Sequence, residues 1–323
     1  MIYYVSDLHL GHANIIKLCN RPFSSVDEMD EFLINAWNKK VTNQDTVYII
    51  GDLLWKSADI NKYLPRLKGK KILITGNHDR NQVDKEEYKK YFKLITPYLE
   101  TKVDNLTVTM CHYPLVEWRD SRKVGSKKLG YLIHGHIHNN YRPEYRCLFV
   151  CPNALNAGAD VNGFCPVTID ELIANNEKFK LETLPTMLDK AEFLARKYHL
   201  YQFDKAGVAY IEHCKAVAAK LDGEDLKTIA YSHDLLEDTD ISEALLEKTF
   251  PKRIVDAIKT MTKPPEQDYF DYIENVSKNP LAKQVKIADL THNSDLSRLK
   301  TITEDDLKRF EKYKKALALL TTK

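Results

Sequence analysis

Histidine and carboxylate residues recur along this chain in two ordered sets, and any fold that serves them must gather side chains that lie far apart in the sequence. The first set reads Asp7-Leu8-His9, Gly51-Asp52, Gly76-Asn77-His78-Asp79, Cys111-His112 and Gly135-His136-Ile137-His138. The second reads His213, then His233-Asp234 with Glu237-Asp238 one turn on, then Asp289 with Asn293 behind it. Imidazole and carboxylate are the groups that bind borderline divalent metals and help to activate water. Of the chain's 11 histidines, seven fall in these sets, so the reading to beat is a hydrolase with two separate metal centres.

The spacing predicts how the first set converges. Ile2–Val5, Thr46–Ile50, Lys71–Ile74, Leu106–Met110 and Tyr131–Ile133 each read as a buried strand, and a metal motif follows each almost at once. Laid side by side with their C-terminal ends at one edge, such strands would bring the motifs together, where α/β sheets place their sites. Ser25–Lys40 carries Met29, Leu33, Ala36 and Trp37 at helical spacing, with acidic residues in its first turns. The pattern changes after about Asn175. Residues 175–185 read as a last edge segment and linker. Beyond them the apolar spacing is helical over Met187–Tyr198, Tyr210–Lys220, Leu226–Leu236, Ile241–Thr249, Lys252–Met261, Asp268–Ser277, Leu281–Ser294 and Glu304–Thr321. Two domains are expected, 1–180 and 186–323, and 323 residues is long for one core.

Composition narrows the class. A net charge of +2 gives no case for a membrane surface or a long nucleic acid. No apolar run approaches the roughly 20 residues of a membrane span. Met1–Val5 runs straight into a metal motif and leaves no room for a signal peptide. The six cysteines form no CxxC pair, and are expected to be reduced, mostly buried thiols in the cytoplasm.

Two ions about 3.5–4 Å apart need a carboxylate able to bridge them and neutral ligands on each side. Asp52 suits the bridge, with Asp7, His9 and His138 completing one ion and Asn77, His112 and His136 the other. His78 is left over to protonate a leaving group or stabilise charge on phosphorus. These motifs, in this order, resemble the calcineurin-like metallophosphoesterase superfamily over roughly residues 1–180. Ser6–Ile16, Arg21-Pro22-Phe23 and Asn156–Asp160 are similar to a small bacterial and phage subgroup of it. The resemblance implies an α/β metallophosphoesterase β-sandwich flanked by helices, the same ligand roles, and two divalent metals drawn from Mn, Fe, Ni or Zn. Gly51-Asp52-Leu53-Leu54-Trp55 lacks the second acidic residue of the protein phosphatase branch, which argues against a Ser/Thr protein phosphatase and leaves Asp79 as the nearest group to orient His78. His12 reads as a phosphate contact or a solvated loop histidine, and His134 as a packed core residue.

In the second set, His233 and Asp234 would diverge by about 100° on a helix and could still reach one ion beside it. Glu237 lies four residues after His233 on the same face and could orient or deprotonate water. His213 and Asp289 come from other helices, as a bundle site requires. Ala206–His213, His233–Thr239 and Val285–Asn293 resemble an HD-superfamily phosphohydrolase, closely the (p)ppGpp-hydrolase branch of RelA/SpoT-type enzymes, over about 186–320. That resemblance implies an all-α HD-domain helical bundle with His213, His233, Asp234 and Asp289 holding one divalent ion, manganese first. It further implies Glu237 and Asp238 activating water, Asn293 touching substrate, and Lys197 and Lys205 offsetting phosphate charge.

The expected function is a bifunctional, cytoplasmic, metal-dependent phosphohydrolase acting on small phosphorylated molecules, nucleotides foremost. Residues 1–180 would cleave a phosphomonoester or small phosphodiester, and residues 186–323 a nucleotide phosphate, with (p)ppGpp the leading substrate. The alternatives are a nucleotide sensor in which one domain regulates the other, and a nuclease or cyclic-nucleotide phosphodiesterase. The sequence carries no signal for an oligomeric state.

Overall fold

A computed structural model describes residues 1–103, 105–121, 129–299 and 301–322. The chain divides into two compact units, Met1–Thr183 and Leu184–Lys323.

The first unit contains two four-stranded sheets. β1 (Ile2–Val5), β2 (Thr46–Ile49), β3 (Lys70–Ile74) and β4 (Phe92–Thr96) pair in that order, all parallel. β5 (Tyr98–Val103), β6 (Leu106–Cys111), β7 (Tyr131–His134) and β8 (Ala154–Asn156) form the second, antiparallel only between β5 and β6. Strand periodicity divides the apolar side chains between two cores. Val5, Val47, Ile49 and Leu73 pack with Leu33 and Trp37 of the helix Val26–Lys40. Tyr4, Ile50 and Ile74 point the other way and meet Val108, Met110, Ile133 and Leu155 of the second sheet. Strands β1, β2 and β3 thus pack on both faces, which is why they read as apolar runs. The five expected strands are all present, but they divide between two sheets rather than forming one.

The helix Val26–Lys40 begins where Ser25 accepts a hydrogen bond from the Glu28 N–H, with Asp27 and Glu28 in its first turn. The stretch 175–180, expected to be an edge segment, lies instead within the helix Ile169–Thr183. Two of its polar residues, Asn176 and Lys180, are buried because they bind main chain at the end of the second sheet. Asn176 bonds to Asn156, and the Lys180 Nζ donates to the Cys151 and Ala154 carbonyls at 2.6 Å each.

The second unit is helical, with longer helices at Met187–Tyr198, Tyr210–Ala218, Glu224–Ser232, Lys252–Met261, Tyr269–Lys278, Pro280–Asn293 and Glu304–Thr322. One expectation needs correction. Leu226–Leu236 is not a single helix, because the chain leaves Glu224–Ser232 at His233 and re-enters a short helix, Leu235–Asp238. Asp234 sits at φ −101° and ψ 0°, outside the helical basin, so His233 and Asp234 are set by a bend rather than by helical rotation. Among the described residues, no helix is long and apolar enough to cross a membrane.

Candidate metal centres

In the first unit each motif occupies the turn directly after a strand. Asp7 follows β1, Asp52 follows β2, Asn77 follows β3, His112 follows β6 and His136 follows β7. Asp7, His9, Asp52, His136 and His138 all have φ between 49° and 73°, the left-handed region that non-glycine residues avoid. Glycines let these turns close. A Cβ on Gly135 would meet the Ser6 Oγ at 1.9 Å, and one on Gly76 would meet the Asp52 Oδ1 at 2.2 Å.

The side chains so placed converge. Asp7 Oδ1 lies 3.9 Å from His9 Nε2 and 3.8 Å from His138 Nε2. Asp52 Oδ2 lies 3.7 Å from His9 Nε2 and 3.4 Å from His112 Nε2. Asn77 Oδ1 lies 3.1 Å from both His112 Nε2 and His136 Nδ1. The residue types and hydrogen bonds fit divalent cations. His112 Nδ1 donates to the Ile50 carbonyl at 2.8 Å and His138 Nδ1 to Asp160 at 2.9 Å, so in the neutral rings both Nε2 atoms are lone pairs facing oxygen acceptors. Both nitrogens of His9 are buried with no hydrogen-bond partner among the described residues. Lone pairs aimed at one another in a dry site require a positive charge between them. In the metal-free protein a proton takes that place. Burial works against charging His112 and His138, but Asp52 and Asp160 outweigh it and raise them to about 9 and about 10.

His78 stands at the rim, its side chain 30% exposed and its Nε2 3.9 Å from Asp52 Oδ2. Asp79 does not orient it. That carboxylate is fully buried and accepts the N–H groups of Asp52 and Gly76 at 2.8 Å each, bracing the two loops. The His78 ring is held by aromatic neighbours instead, 4.9 Å from Trp55 and 5.1 Å from His9. His12 is buried rather than solvated, stacked on Trp55 at 3.6 Å, and burial lowers it to about 4. His134 is buried, with Nδ1 3.0 Å from the Gly135 carbonyl oxygen.

The second unit shows the same chemistry on helices. His213 Nε2 lies 3.3 Å from both His233 Nε2 and Asp289 Oδ1, and His233 Nε2 lies 2.9 Å from Asp234 Oδ2. His233 Nδ1 donates to the Ala230 carbonyl at 2.8 Å, which again leaves Nε2 as the lone pair. Asp234, acting against burial, raises His233 to about 10. Lys286 takes Asp289 Oδ2 at 2.9 Å, so Asp289 offers one oxygen, which Asn293 Nδ2 also steadies at 2.7 Å. The Tyr210 hydroxyl donates to Asp234 and lies 3.5 Å from Asp238. Glu237 accepts the Lys263 N–H at 3.0 Å and borders the site.

Two cavities flank this centre, sharing Tyr210, Asn293 and Tyr313. One adds Lys205, Arg298 and His213. The other adds Glu237, Lys263, Lys286, Lys312, Tyr269 and Tyr272. Lys197 lies on the ring of Tyr198, with Nζ 4.7 Å from its centre, and does not share the place of Lys205.

The profile of the Calcineurin-like phosphoesterase superfamily domain matches residues 1–171. The chain belongs to that superfamily. An uncharacterized protein of Methanocaldococcus jannaschii is 34% identical over 183 residues, spanning 56% of this chain and 93% of its own length. The Gene 66 protein of Mycobacterium phage D29 is 26% identical over 185 residues, covering 49% and 87%. Two solved structures are also similar. One is a protein of unknown function from Aquifex aeolicus, with 27% identity over 53% of this chain and 96% of that one, and a TM-score of 0.42. The other is a metazoan ortholog of SpoT described as hydrolysing ppGpp, with 23% identity, 42% and 85% coverage, and a TM-score of 0.38.

Calcineurin-like phosphoesterases use divalent metals, and the clusters Asp7–His9–His138 and Asp7–Asp52–His112 of this phosphoesterase domain are grouped closely enough to hold them. Residues outside the expected sets also take part. Asp160 and Arg21 stood in segments noted only for their likeness to a subgroup, Lys286 and Lys312 had no signal beyond lysine on a helical pattern, and Lys263 fell between two expected helices. The cysteines are free, but only Cys19 and Cys214 are buried, and Cys147 is exposed.

Proposed function

We propose that the chain is a bifunctional metal-dependent phosphohydrolase, with a two-ion centre in residues 1–180 and a one-ion centre in residues 186–323. The observation that carries this is shared by both units. Imidazole nitrogens whose partner N–H is already committed to carbonyl or carboxylate face further acceptors in a buried pocket. Asp7, His9 and His138 would hold one ion of the first centre, Asn77, His112 and His136 the other, and Asp52 would join them. His213, His233, Asp234 and Asp289 would hold the ion of the second. When bound, such ions supply positive charge that acidifies water and draws electron density from phosphoryl oxygens.

The chain's own groups then divide the work. In the first centre, His78 presents Nε2 at the rim and gives its proton to the departing oxygen as water adds to phosphorus. In the second, Asp238 accepts the proton of the attacking water. Burial, then the nearby charge of Asp234, raises its pKa, which suits a base. Glu237 orients that water, and Tyr210 holds Asp234 in place. Lys263, Lys286 and Lys312 line the adjoining cavity and favour a substrate with several phosphate charges. Among small nucleotides of that kind (p)ppGpp leads, with Asn293 touching the substrate, Lys205 offsetting its phosphate charge, and His12 beside a phosphate of the first centre's substrate. A cytoplasmic location fits such substrates and the free thiols.

The test is manganese-loaded Asp52→Asn protein given ppGpp. Release of pyrophosphate and GDP, absent from Asp234→Ala protein, is the expected result. No release from either variant removes ppGpp as the substrate, and release from both removes the assignment of the helical centre.

A further inference from the structure

Behind the first centre lies a buried ion pair whose hydrogen bonds reach His138 and the Asp7–Leu8–His9 turn, and not Asn77, His112 or His136. Arg21 Nε and Nη2 meet Asp160 Oδ1 and Oδ2 at 2.8 and 3.0 Å, a bidentate fork with both side chains at or below 1% exposure. Asp160 Oδ2 also accepts His138 Nδ1 at 2.9 Å. The same guanidinium donates from Nη2 to the Asp7 carbonyl at 2.7 Å and from Nη1 to the Leu8 carbonyl at 2.9 Å. Those two carbonyls belong to the peptide groups on either side of Leu8, between Asp7 at φ 57° and His9 at φ 53°. One arginine therefore grips the strained turn that carries Asp7 and His9 and, through Asp160, fixes the tautomer and direction of His138. His112 is oriented separately, by the Ile50 carbonyl.

A buried ion pair adds little to stability when set against apolar packing. Retaining one here calls for another reason, and the contacts supply it. We infer that Arg21 and Asp160 are positioning residues for one ion of the first centre, the one held by Asp7, His9 and His138, and leave the Asn77–His112–His136 position to its own ligands. Lysine cannot replace Arg21, because a point charge cannot reach two carboxylate oxygens and two carbonyls at fixed angles. Asparagine at 160 keeps the shape, but must turn an N–H toward either Arg21 or His138.

This inference rests on the two-ion reading, and the experiment separates the two. Full-length protein is stripped of metal, reloaded with manganese, desalted, and its manganese counted by mass spectrometry. Wild type is expected to hold about three ions per chain and Asp160→Asn about two, with the helical centre as internal reference. The manganese concentration giving half-maximal turnover of bis(p-nitrophenyl) phosphate should rise roughly 10–100-fold, the usual effect of losing a ligand's outer partner. The KM for the ester at saturating manganese should not change, a split that a general loss of structure would not give. Arg21→Lys, which keeps the buried charge, reads the same quantities if Asp160→Asn does not fold. Wild-type manganese content and requirement in the folded variants overturn the inference. Wild type that holds only the helical centre's ion overturns the two-ion reading itself.

Discussion

The two units solve one problem, crowding lone pairs in a dry pocket, with opposite backbones. The phosphoesterase unit hangs its candidate ligands on turns at strand ends, and five of them sit in the left-handed region. The helical unit uses helices and a single bend at Asp234. His213 and Asp289 lie inside helices, His233 ends one, and Tyr201 is its sole described non-glycine residue at positive φ, away from the ligand set. Their outer partners differ as well. His138 is backed by a carboxylate, whereas His213 Nδ1 lies 2.8 Å from the imidazole Nδ1 of His292. Turns at the strand ends of two sheets bring the seven candidate ligands of the first centre together. Helices, with the bend at Asp234, bring the four candidate ligands of the second centre together.

The sharpest way to break this comparison is to disable one centre. Asp52→Asn should lower bis(p-nitrophenyl) phosphate turnover by roughly 10³-fold or more while leaving the helical activity intact, and Asp234→Ala should do the reverse. Activity lost from both centres in a folded single variant would show that the sites are not independent. His78→Ala should cost about 10²-fold on an alkyl phosphoester and less on a p-nitrophenyl ester, whose leaving group needs no proton. Equal losses on the two esters would remove the acid role. In the helical unit, Lys263→Ala should raise KM for a polyphosphorylated nucleotide about tenfold with little change in kcat, as for one charged contact. An unchanged KM would place the phosphates elsewhere.

The smallest effect concerns pH. In metal-free protein His112, His138 and His233 have folded pKa values raised to about 9, about 10 and about 10. The stability they contribute is fully present below the unfolded value of about 6.5 and is lost as pH rises through the folded values. Metal takes the place of those protons. The gain in Tm on adding manganese should therefore grow by several degrees between pH 7 and pH 9, more for the phosphoesterase unit with two such histidines than for the helical unit with one. Buried Lys71 and Lys180, both lowered to about 8, act alike with and without metal and drop out of the difference. A gain independent of pH would mean that the protons are not displaced.

What the sequence made legible was residue identity and the run that precedes it. Each first-centre motif followed a buried apolar strand, so both signals coincided at Asp7, Asp52, Asn77, His112 and His136. β4 went unseen because exposed Lys93 and Leu94 interrupt it, and β5 because exposed Tyr98, Glu100 and Lys102 alternate along it and leave no apolar run. β8 is only three residues long. The break at His233 was hidden because Leu226, Ile229 and Leu236 keep helical spacing across it. Asp160 and Arg21 lie 139 residues apart, and nothing local to either announces the other. The lysines of the helical cavity were invisible for the same reason: a lysine's role depends on what faces it. Asp79 shows the converse error, a carboxylate beside His78 in sequence that folds away from it.

Five candidate ligand residues in the left-handed basin have a consequence for how this domain would evolve in the laboratory. At roughly 1–2 kcal/mol each, their combined strain is comparable to the roughly 5–15 kcal/mol that holds an entire domain folded. A library screened only for heat resistance in chelator would be drawn to glycine at positions 7, 9, 52, 136 and 138, gaining robustness as it discards its ions. Screened with metal present, the same library should keep all five residues. Sequencing the survivors of both screens would show whether the trade holds.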